Sequence, residues 1–379
     1  MAEFYIGLMS GTSLDGVDGV LMDLSPGQFM VLAHASASMP TDLRTELMAL
    51  NTAGANELQR AALAANRMMQ LYAEVVAQLL AHNEISREDI RAIGAHGQTV
   101  RHQPQPHAGL SGLGYTWQLC NPALLAELTG IDVAADFRNR DIAAGGQGAP
   151  LVPVFHQAVF AQVGQTSAVL NLGGMANLTV LGSNSGQALT GFDCGPGNVL
   201  LDYWCQRHTG RAFDTDGHWA ATGTVNAGLL ARLRSEPYFS RPAPKSTGRD
   251  LFNPAWLDAH LASQSGPSPS GIRPQDVQAT LIELTASSCA DCVRSYANDS
   301  TQVVVCGGGT FNLTLMERLQ ALLPKQRVIS SAELGLPPQQ VEAAAFAWLA
   351  RKTVHREALS LESVTGAKGA RIAGGLYPA

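Results

Sequence analysis

The chain contains the same pattern twice: a short apolar segment, a glycine-rich turn and a second apolar segment. The first copy joins Phe4–Met9 to Val17–Leu24, and the second joins Thr166–Leu170 to Leu178–Leu181. Short apolar segments separated by glycine turns are typical of β-hairpins. We therefore predict two similar halves, each of which contains a glycine-rich hairpin.

The length of the chain supports the same division. A single hydrophobic core stops growing at about 250–300 residues, whereas this chain has 379 residues, of which 46% are hydrophobic. Helical periodicity over Glu57–His82 precedes buried strands predicted over Ile90–Ala95, Ile131–Ala135 and Gln302–Cys306. The sequence thus predicts an α/β protein of two domains with a cleft between them.

The charge pattern excludes some classes of partner. The formal charge of -6 is spread without a run of like charges, so it gives no electrostatic footprint for nucleic acid or an anionic membrane. No apolar segment approaches the roughly 18 residues of a membrane span, and the N-terminus does not resemble a signal peptide. Six cysteines are too few for a disulfide framework. We expect a cytoplasmic protein with small-molecule partners.

The first glycine turn, GLMSGTSLDGVD at 7–18, combines glycines, hydroxyls and carboxylates. Glycine amides and the hydroxyls of Ser10, Thr12 and Ser13 are donors for phosphate oxygens, and Asp15 and Asp18 are candidate ligands of Mg²⁺. No lysine follows the glycines, so the motif is not a Walker A loop. The alternative is an ordinary hairpin turn with solvated aspartates.

Two further glycine turns are candidates for nucleotide binding. Gly173 and Gly174 repeat the first hairpin pattern, and two such hairpins would clamp the β- and γ-phosphates, although a lone Gly-Gly hairpin is usually structural. The triplet Gly307–Gly309 precedes a helix predicted over Thr310–Leu322, whose N-terminus favours phosphate. The triplet lacks the last glycine of a Rossmann fingerprint, which argues against a dinucleotide.

Asp193 is the candidate catalytic residue, in the motif FDCGPGN at 192–198. A carboxylate at a strand end, beside a rigid Gly-Pro-Gly turn, is well placed to act as a general base, because the scaffold fixes it while the glycines leave room for substrate. The alternative is an aspartate that caps the turn.

Two polar stretches, HGQT at 96–99 and DFRNRD at 136–141, follow predicted strands. Polar groups at such positions line clefts in α/β proteins, and Arg138 can pair with a substrate carboxylate. For His96 a structural role is the alternative. Cys289 and Cys292 form a Cys-x-x-Cys inside a predicted helix, and because no second pair completes a zinc site, packing is the favoured interpretation.

Together these motifs resemble the anhydro-N-acetylmuramic acid kinases of bacterial peptidoglycan recycling. The resemblance covers nearly the whole chain and rests on GLMSGTSLDGVD at 7–18, GAHGQTVRH at 94–102, DFRNRDIAAGGQGAPLVP at 136–153, NLGGMANLT at 171–179, FDCGPGN at 192–198, CGGGTFN at 306–312 and LPPQQVEAAAFAWLA at 336–350. Cys194 stands where many relatives have threonine.

The resemblance implies two actin-like (ribonuclease H-like) lobes with ATP and Mg²⁺ in the cleft between them, and a homodimer. It also implies a double reaction, in which water attacks the anomeric carbon of the 1,6-anhydro sugar while O6 takes the γ-phosphoryl group of ATP. We expect lobe I to comprise residues 1–135 and 355–379, with the first phosphate hairpin and part of the sugar site. We expect lobe II to comprise residues 136–354, with the second hairpin, Asp193 and the glycine triplet.

The motifs and the resemblance give one set of predicted site residues. By position, Asp193 is the base that activates water, Glu342 contacts the sugar, and Asp15 and Asp18 hold Mg²⁺. The predicted nucleotide contacts are Gly11, Thr12, Ser13, Leu14, Asp15, Gly16, Val17, Asp18, Gly173, Gly174, Asn177, Gly307, Gly308 and Gly309. The predicted substrate contacts are His96, Gln98, Arg138, Asn198 and Glu342.

Two alternative functions stay open at the level of sequence. A kinase for another sugar or small hydroxylated metabolite would use a similar aspartate to deprotonate a hydroxyl. A nucleotide-driven binding protein of the heat-shock ATPase type is the alternative from another class, although no peptide-binding domain follows the ATPase-like region.

Overall fold

A computed structural model describes residues 2–11, 13–81, 85–105, 114–162, 164–182, 189–262 and 271–379. Its strands are β1 (Phe4–Met9), β2 (Gly16–Asp23), β3 (Met30–Ser38), β4 (Ile90–Ala95), β5 (Gln98–Gln103), β6 (Tyr115–Leu119), β7 (Val133–Ala135), β8 (Ser167–Leu172), β9 (Met175–Leu181), β10 (Thr190–Pro196), β11 (Gln302–Cys306), β12 (Arg327–Ser330) and β13 (Gly375–Tyr377).

The α-helices of the same residues are α1 (Thr41–Ala49), α2 (Glu57–Ala81), α3 (Pro122–Thr129), α4 (Asn139–Ala143), α5 (Val152–Phe160), α6 (Asn198–Thr209), α7 (His218–Ala221), α8 (Ala227–Arg234), α9 (Pro254–Ala262), α10 (Pro274–Tyr296), α11 (Leu313–Leu322), α12 (Val341–Val354) and α13 (Glu362–Thr365). Short 3-10 helices span Arg87–Asp89, Thr215–Gly217, Pro237–Ser240, Gly308–Phe311, Ser331–Leu334 and Pro338–Gln340. Among the described residues, no helix combines the length and the apolar character that a bilayer span requires.

The chain divides into two compact units, unit 1 with residues 1–155 and 340–379, and unit 2 with residues 156–339. Read from its hairpin side, the main sheet of unit 1 has the order β3-β2-β1-β4-β7-β13, and the sheet of unit 2 has the order β10-β9-β8-β11-β12. In unit 1, β1 is antiparallel to its hairpin partner β2 and parallel to β4. In unit 2, β8 is likewise antiparallel to β9 and parallel to β11. The predicted α/β fold with two similar ribonuclease H-like halves is confirmed.

In each unit, a long helix packs against the sheet and contributes to the hydrophobic core. The buried face of α2 places Met68 and Tyr72 in the same core as Ile6 of β1. In unit 2, Leu281 of α10 packs in one core with Leu170 of β8. The helix predicted from Glu57 onwards is confirmed as far as Ala81. His82, the last residue of the prediction, lies outside the described residues.

The predicted boundaries of the lobes are wrong at residues 136–155 and 340–354, which belong to unit 1. The reason for the second error is helix α12, which lies directly on β1 and β4. A Cβ added to Gly7 would lie 1.9 Å from Ala343 O, and one added to Gly94 would lie 2.0 Å from Phe346 O. Because Gly7 and Gly94 are register neighbours, they form a bare strip on which the helix backbone rests.

A buried carboxylate explains the first boundary error. Asp141 accepts hydrogen bonds from Gly148 N (2.6 Å) and from Thr365 Oγ1 (2.7 Å). These bonds tie the stretch after β7 to the C-terminal segment of unit 1. Their partners are far apart in the sequence, so local patterning carries no sign of them.

The helix predicted over Thr310–Leu322 begins three residues later than expected. A 3-10 turn follows Gly307, and α11 starts at Leu313, where the Asn312 side chain accepts a hydrogen bond from Leu315 N at 3.0 Å. Asparagine caps satisfy the first free amides of a helix. The glycine triplet therefore adjoins the amides of the short 3-10 turn instead of those of the α-helix.

Candidate active site

Two of the predicted motifs of unit 2 meet at the hairpin turn between β8 and β9. Asn198 N donates to Gly173 O at 2.8 Å, and Gly197 N donates to Gly174 O at 2.9 Å. The Asn198 side chain donates through Nδ2 to Leu172 O at 3.0 Å. The carboxyl end of β10 is thus fastened to the turn, and Asn198 has a structural bond in addition to its predicted contact with substrate.

The glycine triplet joins the same surface from β11. Gly307 has a φ of +83°, and a Cβ there would lie 2.4 Å from Asn171 Oδ1, so this position requires glycine. A Cβ on Gly309 would lie 2.6 Å from Leu172 Cβ, whereas Gly308 has only Asn198 Nδ2 nearby, at 3.7 Å. The carboxyl ends of parallel strands are where α/β sheets bind ligands, and here three motifs share that edge.

The backbone of this turn is open on one side. Among the described residues, a Cβ added to Gly174 would meet no atom within 4 Å, and one added to Gly173 would meet none closer than 3.6 Å. Thr310 directly follows the glycine triplet, and its Oγ1 is buried and has no hydrogen-bond partner within the described part of the chain. An open glycine backbone is suited to an oxyanion such as a phosphate.

Asp193 lies on β10 and is held by the segment 245–247. Its amide donates to Lys245 O at 3.0 Å, and its carboxylate Oδ2 accepts from Thr247 N at 2.9 Å. Its carbonyl accepts from Tyr238 Oη at 2.8 Å. Across the sheet its register neighbour is Asn177, another predicted site residue. The carboxylate is therefore fixed by backbone groups at the strand that leads into the glycine surface.

Burial changes the acidity of this carboxyl group. It raises the pKa of Asp193 from its usual value to about 6, against the opposing effect of the hydrogen bond from Thr247 N. A carboxylate with a pKa near 6 is still ionised at neutral pH but is a stronger base than a solvated aspartate. The environment therefore suits proton abstraction from a water or a hydroxyl group.

Thr247 is a site residue that the sequence interpretation missed. The stretch around it had the polar, proline-rich composition of a surface loop, yet its amide holds Asp193, and its Oγ1 is buried without a partner among the described residues. The signal that could have found it is the run Lys-Ser-Thr-Gly-Arg at 245–249, which gathers hydroxyls and cations around a glycine. Such a run has the composition of a phosphate-binding loop.

The turn of the first hairpin lies in unit 1. Leu14 has a φ of 57°, and its amide donates to Gly11 O at 3.2 Å, so the turn is tight. The side chains of Leu14 and Val17 are buried in the core, which leaves only their backbone for a nucleotide. Ser13 is exposed, and Thr12 lies outside the described residues.

The two candidate metal ligands differ in their surroundings. Asp15 is exposed at the end of the turn, and its carbonyl accepts from Met39 N at 2.9 Å. Asp18, on β2, is partly exposed and lies 3.2 Å from His34 Nε2 through Oδ1. The described residues contain no group of three or more His, Cys, Asp or Glu side chains arranged to hold a metal ion.

His96 connects the hairpin turn of unit 1 to Arg138. Its Nδ1–H donates to Ser10 O at 3.1 Å, and its Nε2 accepts from Arg138 Nη2 at 3.0 Å. Burial first, and the charge of Arg138 second, lower the pKa of His96 to about 3. The imidazole is therefore neutral, with both nitrogens bonded to the protein, which agrees with the structural alternative for this residue.

Gln98 and Ser10 complete this network. Gln98 is buried, and its Oε1 accepts a hydrogen bond from Ser10 Oγ. Arg138 Nη1 donates to Gly148 O at 2.8 Å. Burial lowers the pKa of Arg138 to about 10, while the charges of Glu342 and Asp141 act in the opposite direction. Four of the predicted polar residues of unit 1, namely His96, Gln98, Arg138 and Glu342, thus form one neighbourhood around the turn.

Comparisons with known proteins identify the family that the sequence motifs resemble, along nearly the whole chain. The sequence profile of the family described as anhydro-N-acetylmuramic acid kinase matches residues 3–379. The chain is 60% identical to the anhydro-N-acetylmuramic acid kinase of Albidiferax ferrireducens, with 100% of both chains aligned. It is also 60% identical to that of Variovorax paradoxus, over 100% of this chain and 99% of the relative.

A more distant similarity exists among solved structures. The activator of the 2-hydroxyisocaproyl-CoA dehydratase from Clostridium difficile with bound ADPNP aligns over 93% of this chain and 96% of its own, with 12% identity and a TM-score of 0.49.

Proposed function

Because the chain belongs to the anhydro-N-acetylmuramic acid kinase family, we propose that it uses ATP to open and phosphorylate 1,6-anhydro-N-acetylmuramic acid. The products are N-acetylmuramic acid 6-phosphate and ADP, and the reaction serves the recycling of peptidoglycan. The observation that carries the proposal is Asp193, whose amide donates to Lys245 O and whose carboxylate accepts from Thr247 N, beside the glycine turns of unit 2. The chain that contains it matches the family from residue 3 to 379.

Asp193 acts as the general base in this proposal. It takes a proton from a water molecule, and the water oxygen attacks the anomeric carbon of the anhydro sugar. The bond between that carbon and O6 breaks, O6 takes the γ-phosphoryl group, and ADP leaves. The pKa of about 6 supports the role, since a base is most effective when its pKa is near the working pH.

The glycine turns of unit 2 hold the phosphates of ATP. Phosphoryl transfer depends mainly on positioning and on neutralising charge, and the open backbone at Gly173 and Gly174 offers donors without steric obstruction. Gly308 and Thr310 follow β11, whose carboxyl end lies at the same edge of the sheet. The predicted contacts of Asn177 and Asn198 belong to this surface as well.

In unit 1 we assign sugar binding to the neighbourhood of Arg138 and Glu342. The lactyl carboxylate of the muramic acid is the group that a guanidinium recognises. His96 and Gln98 act indirectly, because their polar atoms hold Ser10 and Arg138 in place. Asp15 and Asp18 offer the oxygen ligands that Mg²⁺ prefers, and the ion would neutralise charge on the β- and γ-phosphates when bound.

Two coarser inferences accompany the enzymatic one. We place the enzyme in the cytoplasm, where ATP is available and where six free cysteines stay reduced. A homodimer, which the family resemblance implies, stays a prediction that sedimentation of the purified chain would check.

The test of the reaction is an incubation with ATP and anhydro-N-acetylmuramic acid in ¹⁸O-labelled water. We expect ADP and a product heavier than the substrate by a phosphoryl group plus one water. The label should be in the hydroxyl group at the anomeric carbon and absent from the phosphoryl group. Phosphorylation without addition of water would indicate a kinase for another hydroxylated sugar. ATP hydrolysis that is independent of the sugar, with label in inorganic phosphate, would support the heat-shock type of ATPase.

A further inference from the structure

Unit 2 contains a cavity of about 300 Å³ that no step of the proposed reaction uses. It lies between β10, the segment 239–245 and the second half of α10. The residues that line it include Cys194 and Cys292, the cationic residues Arg234 and Lys245, and the aromatic residues Phe239 and Tyr296. A cavity of this size admits small solutes, and two of the residues that line it are cysteines.

Cys194 belongs to a group of three free thiols. It lies on β10, while Cys289 and Cys292 lie one turn apart on α10, and all three pack in the same hydrophobic core. Cys194 and Cys289 are fully buried, and Cys292 is 7% exposed. Of the three, Cys194 and Cys292 line the cavity. This pair therefore shares one core and one cavity.

The surroundings of the pair favour a thiolate at Cys292. The hydrogen bond from Cys194 lowers the pKa of Cys292, and the charges of Lys245 and Arg234 lower it further, against the effects of burial and of Asp291. The pKa of Cys194 is raised, first by its contact with Cys289. Reactive cysteines lie beside cations at partly accessible positions. Cys292 meets these conditions, and Cys194 is the neighbouring thiol that can resolve it.

We propose that Cys194 and Cys292 form a redox modification site, at which a hydroperoxide converts the two thiols to a disulfide and reversibly lowers the kinase activity. The effect on activity rests on the proposed function, whereas the formation of the disulfide does not. Intracellular disulfides are usually transient and sensory, which is the role assigned to this pair.

The chemistry consists of two steps. The Cys292 thiolate attacks the peroxide, takes one oxygen to become a sulfenic acid, and releases water, or an alcohol from an organic peroxide. The Cys194 sulfur then attacks the sulfenic sulfur and the disulfide bond forms. The sulfenic oxygen leaves as water, together with the proton of the Cys194 thiol. Both sulfurs are oxidised and the peroxide is reduced, and a dithiol reductant reverses the change by exchange.

The consequence for activity follows from the chain itself, because Cys194 is bonded directly to Asp193. A disulfide requires a separation between sulfurs of about 2.05 Å, which is shorter than any hydrogen-bonded thiol contact. Closing that gap draws β10 towards α10. A displacement of about 1 Å at a reacting group can cost a hundredfold in rate. We therefore expect oxidation to lower turnover by about tenfold or more.

The experiment treats the reduced, full-length enzyme with hydrogen peroxide and follows two readouts. Peptide mapping without reduction is expected to show the peptides of Cys194 and Cys292 joined, with a mass loss of about 2 Da. Release of ADP with anhydro-N-acetylmuramic acid is expected to fall, and dithiothreitol is expected to restore it. Mapping needs no substrate, so a failure of the proposed function leaves this part of the test intact.

Matched variants separate the pair from the other thiols. Cys194→Ser and Cys292→Ser should retain activity after peroxide, whereas Cys289→Ser and Cys120→Ser should lose it as the wild type does. Cys120 is a suitable control because burial raises its pKa to about 12.

Some outcomes would overturn the proposal. Separate, unlinked peptides of Cys194 and Cys292 after treatment would do so, even if a variant failed to fold, because the mapping uses the wild-type enzyme. Loss of activity with irreversible oxidation of other residues would do so too. Protection by Cys289→Ser in place of Cys292→Ser would assign the disulfide to a different pair.

Discussion

Asp193 is held in place by backbone groups of a segment more than fifty residues away along the chain. Its amide bonds to Lys245 O and its Oδ2 accepts from Thr247 N. Backbone groups stay in place through most substitutions, so these hydrogen bonds to Asp193 do not require particular side chains at 245 and 247. What does depend on a side chain is the base itself.

We predict that Asp193→Asn lowers turnover by about 10²–10⁴-fold, which is the usual contribution of general-base catalysis. The affinity for ATP should change by less than about threefold, because the glycine turns that we assign to the phosphates stay intact. Steady-state kinetics and a nucleotide-binding titration measure the two effects. For the wild type, kcat/KM should fall below about pH 6 as Asp193 becomes protonated. An equal loss of nucleotide binding in the variant would move Asp193 to a structural or metal-binding role.

Residue types at the site were predictable from sequence, but their partners were not. His96 was recognised as a polar residue after a strand, and its bonds to Ser10 O and Arg138 Nη2 decide that it is neutral and structural. Thr247 was missed because its distinctive contact is with Asp193, 54 positions away. Contacts of this kind depend on the path of the chain in space, which the local composition does not encode.

At the scale of elements, α12 illustrates the same limit. Its composition predicts a buried helix, and its first turn contains Glu342. Which unit it joins is decided by Gly7 and Gly94, two glycines that lie side by side on parallel strands. A side chain at either would collide with the backbone of α12. The two glycines therefore allow α12 to pack on the sheet of unit 1, although they are far from the helix in sequence.

We predict that Gly7→Ala destabilises the enzyme by about 3 kcal/mol, because overpacking against an element that cannot yield typically costs 1–3 kcal/mol and occasionally more. The new Cβ would lie 1.9 Å from Ala343 O, a backbone atom. Urea unfolding of the purified variant measures the change in the free energy of unfolding.

Gly174→Ala is the matched control for stability. Among the described residues its Cβ meets no atom within 4 Å, so we expect the free energy of unfolding to stay within about 1 kcal/mol of the wild type. The KM for ATP should rise in this variant, because the methyl group occupies the open side of the turn. Equal destabilisation by both substitutions would contradict the role of Gly7 as a packing site for α12.

At the scale of the whole molecule, each unit contains a buried neutral histidine, His96 in unit 1 and His156 in unit 2. Burial lowers the pKa of both to about 3, whereas an unfolded chain protonates histidine near 6.5. Between those values the unfolded state binds more protons, so the free energy of unfolding falls as the pH falls. Each histidine contributes up to about 1.4 kcal/mol per pH unit in this window.

We predict that His156→Leu reduces this acid sensitivity. The variant should show a dependence of unfolding free energy on pH that is smaller by up to about 1.4 kcal/mol per pH unit between about pH 6 and 5. Urea titrations at several pH values measure it. The raised pKa of Asp193 acts in the opposite direction in both proteins, so it cancels in the comparison. An unchanged slope would mean that His156 is protonated in the folded enzyme.

The sequence by itself determined the class of fold, the two similar halves, the glycine turns and the family, because these depend on short-range patterns of apolar, glycine and polar residues. Only the tertiary structure decided that residues 136–155 and 340–354 join unit 1, that Thr247 holds Asp193, and that Cys194 meets the cysteines of α10. Those features are contacts between distant segments, and their energy arises only when the folded chain brings the segments together.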